Sequence, residues 1–205
     1  ALPAGRDAEL RATLEGIDRA LARYPRTFLE RAGLKEIRVV GGVRMGGAEF
    51  SGFARPCEGG IVLGFAERDV GRVLDHELFH VFDCAFFHRV LRRNHELPHH
   101  NVIQTMYDDF EWRDLNPRGF GYTAQIECKA EASTAIEHPL AGFASWYATC
   151  DIVEDKANLF EHLMRPAGRA RLLELAQRDR VLAAKLALIA SRLRAFGLEL
   201  PGAIG

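Results

Sequence analysis

His76, Glu77 and His80 are the residues whose types and spacing do chemistry most directly. They lie in Val73-Leu74-Asp75-His76-Glu77-Leu78-Phe79-His80-Val81-Phe82-Asp83. In a helix, positions four apart stack on one face, so two imidazoles at this spacing reach one small cation. The glutamate one position after the first histidine points roughly 100° around the helix. It is badly placed as a third ligand and well placed to reach a water beside the metal. This is the H-E-x-x-H pattern of a zinc hydrolase, with two ligands and a general base.

A catalytic zinc takes three protein ligands and keeps one position open. Glu154 is the best candidate for the third, in the first turn of a helix expected to start near Asp151. Ile152, Val153, Ala157, Phe160, Leu163 and Met164 form that helix's inward face. Asn158, one turn on, is placed to hydrogen-bond a ligand from behind. The plainer reading is that Glu154 and Asp155 only favour the helix N-terminus through its dipole. Beside a good H-E-x-x-H helix the ligand reading is preferred, with Glu161 and Asp151 in reserve.

The elements that must hold these residues are legible in outline. Asp69 is a plausible N-cap for the histidine helix, no proline interrupts residues 70–87, and Val70, Val73, Leu74, Leu78, Val81 and Phe82 form a broad apolar stripe. Upstream, residues 7–24 read as an amphipathic helix ended by Tyr24-Pro25, and Thr27 to Arg31 as a short helix stopped by Gly33. Ile37 to Val40 is a β-branched run closed by Gly41-Gly42 and reads as a strand. Residues 44–60 are glycine-rich and read as loop or irregular hairpin. Residues 60–65 read as a strand, either an ordinary core strand or a sheet edge beside the metal that an extended peptide could join.

His95-Glu96-Leu97-Pro98-His99 repeats the H-E-x-x-H pattern, but Pro98 falls inside the turn, where it removes a backbone bond and clashes. A solvated loop carrying His95, His99 and His100 is expected, with an adventitious surface metal site as the alternative. The arginines at 89, 92 and 93 read as a solvated face. Residues 107–122, with Trp112, form an aromatic, turn-rich loop that walls a cleft or plugs the core. Residues 125–136 have helical propensity, broken by Glu137-His138-Pro139. From Pro166, Leu172, Leu175, Leu182, Leu186, Ile189, Leu193 and Phe196 form the apolar stripe of a helical region with an arginine-rich, solvated opposite face.

At 205 residues with a net charge of −1, one domain is expected, with no general attraction to nucleic acid. No apolar run approaches the ~20 residues that span a bilayer. Cys57, Cys84, Cys128 and Cys150 include no C-x-x-C pair, which argues against a Cys₄ zinc site. They allow two disulfides in three connectivities, and an exported location is preferred over a cytoplasmic one. The chain opens Ala1-Leu2-Pro3-Ala4, with neither an initiator methionine nor a signal peptide, so mature and trimmed forms both stand open.

The stretch His76 to Asp83, followed by Ser145-Trp146-Tyr147-Ala148 and Glu154-Asp155, resembles the gluzincin metallopeptidases. Within them it is most similar to the group of anthrax lethal factor and bacterial zinc-binding peptidases. That group joins an H-E-x-x-H-x-x-D helix to a downstream Y-x₆-E segment, a spacing met by Tyr147 and Glu154. The resemblance covers residues 34–165. It implies that Glu154 is the third zinc ligand and that Tyr147 polarises the scissile carbonyl or stabilises the oxyanion. Asn158 stands where thermolysin-type gluzincins usually carry aspartate.

The expected architecture is α+β: a zincin-like domain over residues 1–205 with a small sheet, the H-E-x-x-H helix across it, and helices at both ends. The expected activity is that of a zinc endopeptidase with one Zn²⁺ per chain, acting on a protein or peptide. Two other readings stand beside it: a catalytically silent zinc-containing module that binds a protein or glycan, and a hydrolase of a non-protein amide such as a peptidoglycan cross-link. Oligomeric state is open.

Overall fold

Two long, proline-free apolar segments build the centre of the molecule. A computed structural model of the chain describes residues 6–65, 69–92, 99–123 and 126–200. The first segment is helix α3 (Val70–Arg92), longer than its apolar stripe alone suggests. The backbone N–H of Arg72 donates to Asp69 Oδ1 (3.2 Å), so Asp69 caps it as expected. The second is α7 (Ile152–Leu163), capped by Asp151, whose carboxylate accepts from Val153 N. α3 and α7 pack side by side, and the candidate site lies between them.

Helices α1 (Asp7–Leu21) and α2 (Arg26–Ala32) precede the sheet and lie against α3. Gly33 ends α2 at φ 78°, a left-handed position that favours glycine. Strand β1 (Glu36–Val40) leads to a hairpin of β2 (Val43–Met45) and β3 (Ala48–Phe50). Then come β4 (Gly52–Arg55), a 3₁₀ turn at Pro56–Glu58, and β5 (Gly60–Gly64). The main sheet has the order β1-β5-β4, with β5 parallel to β1 and antiparallel to β4.

β5 is therefore the central strand, buried along its whole length, and not a sheet edge. The edges are β1 and β4, and β4, which lines the cleft, lies inside the stretch expected to be loop or irregular hairpin. Its Gly52 is required by closeness: a Cβ there would meet Val62 O at 2.8 Å and Val73 Cγ1 at 2.9 Å. The glycine that made the stretch look irregular lets β4 lie flat against β5 and α3.

Beyond α3 come α4 (His99–Tyr107), whose Ile103, Met106 and Tyr107 line the site, and α5 (Phe110–Arg113). The second H-E-x-x-H stretch lies outside the described residues up to Pro98. Positions 99 and 100 lie in α4 and so are not loop. Trp112 plugs the core and is fully buried, whereas Tyr107 is exposed. α6 (Ile126–Glu131) is shorter than residues 125–136.

The C-terminal region is two helices, α8 (Pro166–Ala176) and α9 (Arg180–Ala195), divided where the Asp179 carboxylate caps α9. Its arginines do not all face solvent. Arg192 is buried against Asp109, with Nη1 at 2.6 Å from Oδ2 and Nη2 at 2.9 Å from Oδ1. An apolar cluster runs from Ile17 to Leu198, with Phe28, Phe79, Phe82 and Phe160 at its middle. The fold is α+β, and among the described residues no helix is long and apolar enough to cross a membrane.

Candidate metal centre

The i, i+4 spacing on α3 turns both histidine rings to one face, where Nε2 of His76 and Nε2 of His80 stand 3.3 Å apart. The first turn of α7 brings Glu154 to the same point. Its Oε2 lies 2.9 Å from His76 Nε2 and 3.4 Å from His80 Nε2. All three side chains are buried, and their donor atoms lie within 4.8 Å of one another. Four-coordinate zinc with bonds of about 2.0–2.1 Å sets neighbouring ligand atoms about 3.3 Å apart. The observed separations match, so two imidazoles and one carboxylate fit zinc with a fourth position left open.

What stands behind the histidine fixes its tautomer. His76 Nδ1 lies 3.2 Å from Glu161 Oε2, so Nδ1–H donates to the carboxylate and the Nε2 lone pair faces the cation position. Glu161 is held in turn by Arg72 Nη1 (3.2 Å to each oxygen) and by Asn158 Nδ2 (2.9 Å). Asn158 also accepts from Ser145 Oγ at 2.8 Å and touches no ligand. The expected hydrogen bond from Asn158 to a ligand is thus replaced by one link more, Asn158 to Glu161 to His76. Helical spacing explains it: Glu161 is three residues on from Asn158, within reach on the same face. Neither reserve is a ligand. Glu161 supports His76 from behind, and Asp151 caps α7 and pairs with Lys129 (2.9 Å).

Without a cation the cluster stores a proton. Burial opposes a charge on His76, but its hydrogen bonds to Glu154 and Glu161 outweigh burial and push the ring up to about 10. Burial also opposes the Glu154 anion, and His80 and His76 overcome it, holding the carboxyl well below the usual range. A divalent cation takes the same lone pairs, so its uptake would release that proton.

Glu77 lies outside the ligand set, as its position around the helix requires, and faces the cleft. Burial pushes its carboxyl up against the pull of His76 and His80. Tyr147 lies edge-on to His76 (5.7 Å between centroids) and donates from its hydroxyl to Glu154 Oε2 at 3.0 Å. Burial and then the charges of Glu154 and Glu77 raise its pKa well above the usual value, so the hydroxyl remains a neutral donor.

A cleft of about 290 Å³ opens over these groups. Phe53 and Ala54 of β4 form one wall, and Ile103, Met106 and Tyr107 of α4 another. A hollow of about 210 Å³ continues past His76 and Glu77 towards Ser51, Arg72 and Thr134. A larger cavity of about 570 Å³ lies further along α3, around Cys84 and Phe196, and carries none of these groups.

Lys129 of α6 is the site residue that the sequence does not reveal. Its Nζ is 3.0 Å from Glu154 Oε1. Burial opposes its charge, but Glu154 and Asp151 outweigh burial and keep it protonated. Only the disulfide pairing would have placed it. Cys128 bonds to Cys150 and Cys57 to Cys84, one of the three open connectivities. No protein-family model, curated protein or solved structure matches this chain.

Proposed function

We propose that the chain is a zinc-dependent endopeptidase of the gluzincin type, with a zincin-like core. The observation that carries this reading is the meeting of His76, His80 and Glu154 at zinc-ligand spacing while Glu77, excluded from that set, lines an open cleft. Zinc held there supplies Lewis acidity to the scissile carbonyl and makes an attacking water acidic.

The chain's own residues do the rest. Glu77 takes the proton of the attacking water and delivers it to the leaving nitrogen. Tyr147 donates its hydroxyl to the carbonyl oxygen as charge develops there. Its present acceptor is Glu154, and a rotation of the phenol turns the same donor to the substrate. β4 supports a peptide substrate. It is a sheet edge, and Gly52, Phe53 and Ala54 line the cleft, so an extended chain can add main-chain hydrogen bonds beside the metal position. The intact Glu77 speaks against a silent binding module, which needs no base. Two disulfides support an exported location.

The test joins metal analysis to one variant. The purified chain, loaded and dialysed, is expected to hold one zinc, and His76→Ala is expected to lose it. Glu77→Gln keeps size and polarity but cannot accept the proton. It should hold zinc as the parent does and lose about 10²–10⁴-fold in peptide hydrolysis. A parent that binds no zinc, or a zinc-loaded Glu77→Gln chain as active as the parent, would overturn the reading.

A further inference from the structure

The two oxygens of Glu154 have separate partners. Oε2 faces both histidines and the Tyr147 hydroxyl, at 2.9, 3.4 and 3.0 Å. Oε1 accepts from Lys129 Nζ at 3.0 Å. Lys129 is not a mobile surface lysine, since its side chain is 15% exposed and held from a second side by Asp151 Oδ2 at 2.9 Å. Asp151 is itself fixed, because its Oδ1 accepts from Val153 N at the start of α7. The Cys128–Cys150 disulfide joins the residue before Lys129 to the residue before Asp151, so the ion pair is closed covalently at its base.

A glutamate can meet a cation through one oxygen or through both. A charged donor on Oε1 occupies the lone pairs that a second metal bond would need and turns the carboxylate edge so that Oε2 faces the histidines. We propose that Lys129 is a positioning residue that holds Glu154 as a one-oxygen metal ligand and so keeps the fourth position open. This rests on the metal-binding reading above. It assigns the lysine a role that neither packing nor surface solvation supplies: one of the two carboxylates it pairs with is the candidate ligand Glu154, and that contact is made to the oxygen that does not face the histidines.

The experiment uses the full, disulfide-bonded chain as parent, Lys129→Met and Lys129→Arg. Zinc affinity is measured by competition with a chromophoric chelator, cobalt(II) loading reports the coordination number from the visible absorption, and melting of the metal-free chain reports the fold. Lys129→Met should bind zinc 10–100-fold more weakly, the usual cost of losing a group that orients a ligand. Its cobalt bands should weaken as Glu154 adds a second bond. Lys129→Arg, which keeps a charged donor, should recover most of the affinity and the parent's bands. Should Lys129→Met fail to fold, Lys129→Gln is judged by the same criteria.

An unchanged affinity and spectrum in the uncharged variant would overturn the proposal. So would equal losses in the Met and Arg variants with the metal-free melting temperature retained. A parent that binds no zinc removes the metal reading and this inference together; a parent that binds it beside an unaffected Lys129→Met removes the inference alone.

Discussion

Tyr147 sits between aromatic neighbours with opposite fates. Phe143 is fully buried and Trp146 is half exposed, while Tyr147 faces the cleft with its hydroxyl on Glu154. Were it only a packing residue, Tyr147→Phe would lose one hydrogen bond, about 1 kcal/mol of stability. As a donor to the developing oxyanion, it should cost 10²–10³-fold in kcat with KM changed far less. Measuring kcat, KM and melting temperature of the zinc-loaded variant on one peptide separates the two, and a normal kcat would return Tyr147 to the packing role. At this scale the sequence is informative wherever chemistry depends on helical spacing. His76, Glu77 and His80 are three positions of one helix, and Glu154 lies in the first turn of another. It is uninformative where a contact crosses between distant segments. Lys129 reaches Glu154 from 25 residues away and Glu161 reaches His76 from 85, and no local pattern encodes either meeting.

Helix α7 reads in the sequence as amphipathic, with one inward face. Its apolar positions are inward as expected, yet its polar positions are buried too, Lys156 and Asp155 completely. The difference comes from internal pairing. Lys156 Nζ meets Asp83 of α3 at 2.5 Å, the Met106 carbonyl at 3.2 Å and Asp109 at 3.2 Å. Asp155 accepts from Lys185 (2.7 Å), Trp112 (2.8 Å) and Tyr122 (2.8 Å). A charge is buried only with such partners, and the partners come from four other helices and the loop at Tyr122, so periodicity cannot announce it. Burial pushes the Asp83 carboxyl up even against the charge of Lys156, which marks how much that lysine must compensate. Lys156→Met should therefore destabilise the metal-free chain by about 3–5 kcal/mol in urea unfolding, because it leaves buried carboxylates short of a cation. Replacing both members, as Lys156→Met with Asp83→Leu, should recover much of the loss. A single-variant loss below about 1 kcal/mol would show that the α3–α7 contact, and with it the candidate metal centre, does not lean on this pair.

Over the whole molecule, the two disulfides tie the walls of the cleft to the helices that carry the candidate metal ligands. Cys57 lies in the 3₁₀ turn after the edge strand β4, and Cys84 is one turn beyond His80 on α3. Cys128 is on α6 beside Lys129, and Cys150 immediately precedes the cap of α7. The even cysteine count was legible, but the pairing was not. It depends on β4 returning to α3, and β4 is a four-residue strand opening with a glycine, too short to stand out from loop. The pairs span 27 and 22 positions, which by loop-closure entropy amounts to roughly 3.5 kcal/mol each. Domains are stable by only about 5–15 kcal/mol, so losing both links removes a large share. Reduced and alkylated chain should melt roughly 15–30 °C below the oxidised form at the 2–4 °C per kcal/mol usual for this size. It should also bind zinc more weakly, since Lys129 and Asp151 lose the closure at their base. Melting curves of both forms, with zinc and with chelator, separate the two effects. The chelated pair reports the entropic links alone, and any further gap with zinc reports ligand geometry. If the reduced chain melts within a few degrees of the oxidised one, the apolar cluster suffices and the disulfides no longer support export. If it unfolds at physiological temperature, a reducing compartment could not hold the folded chain, and export becomes a condition of its folding.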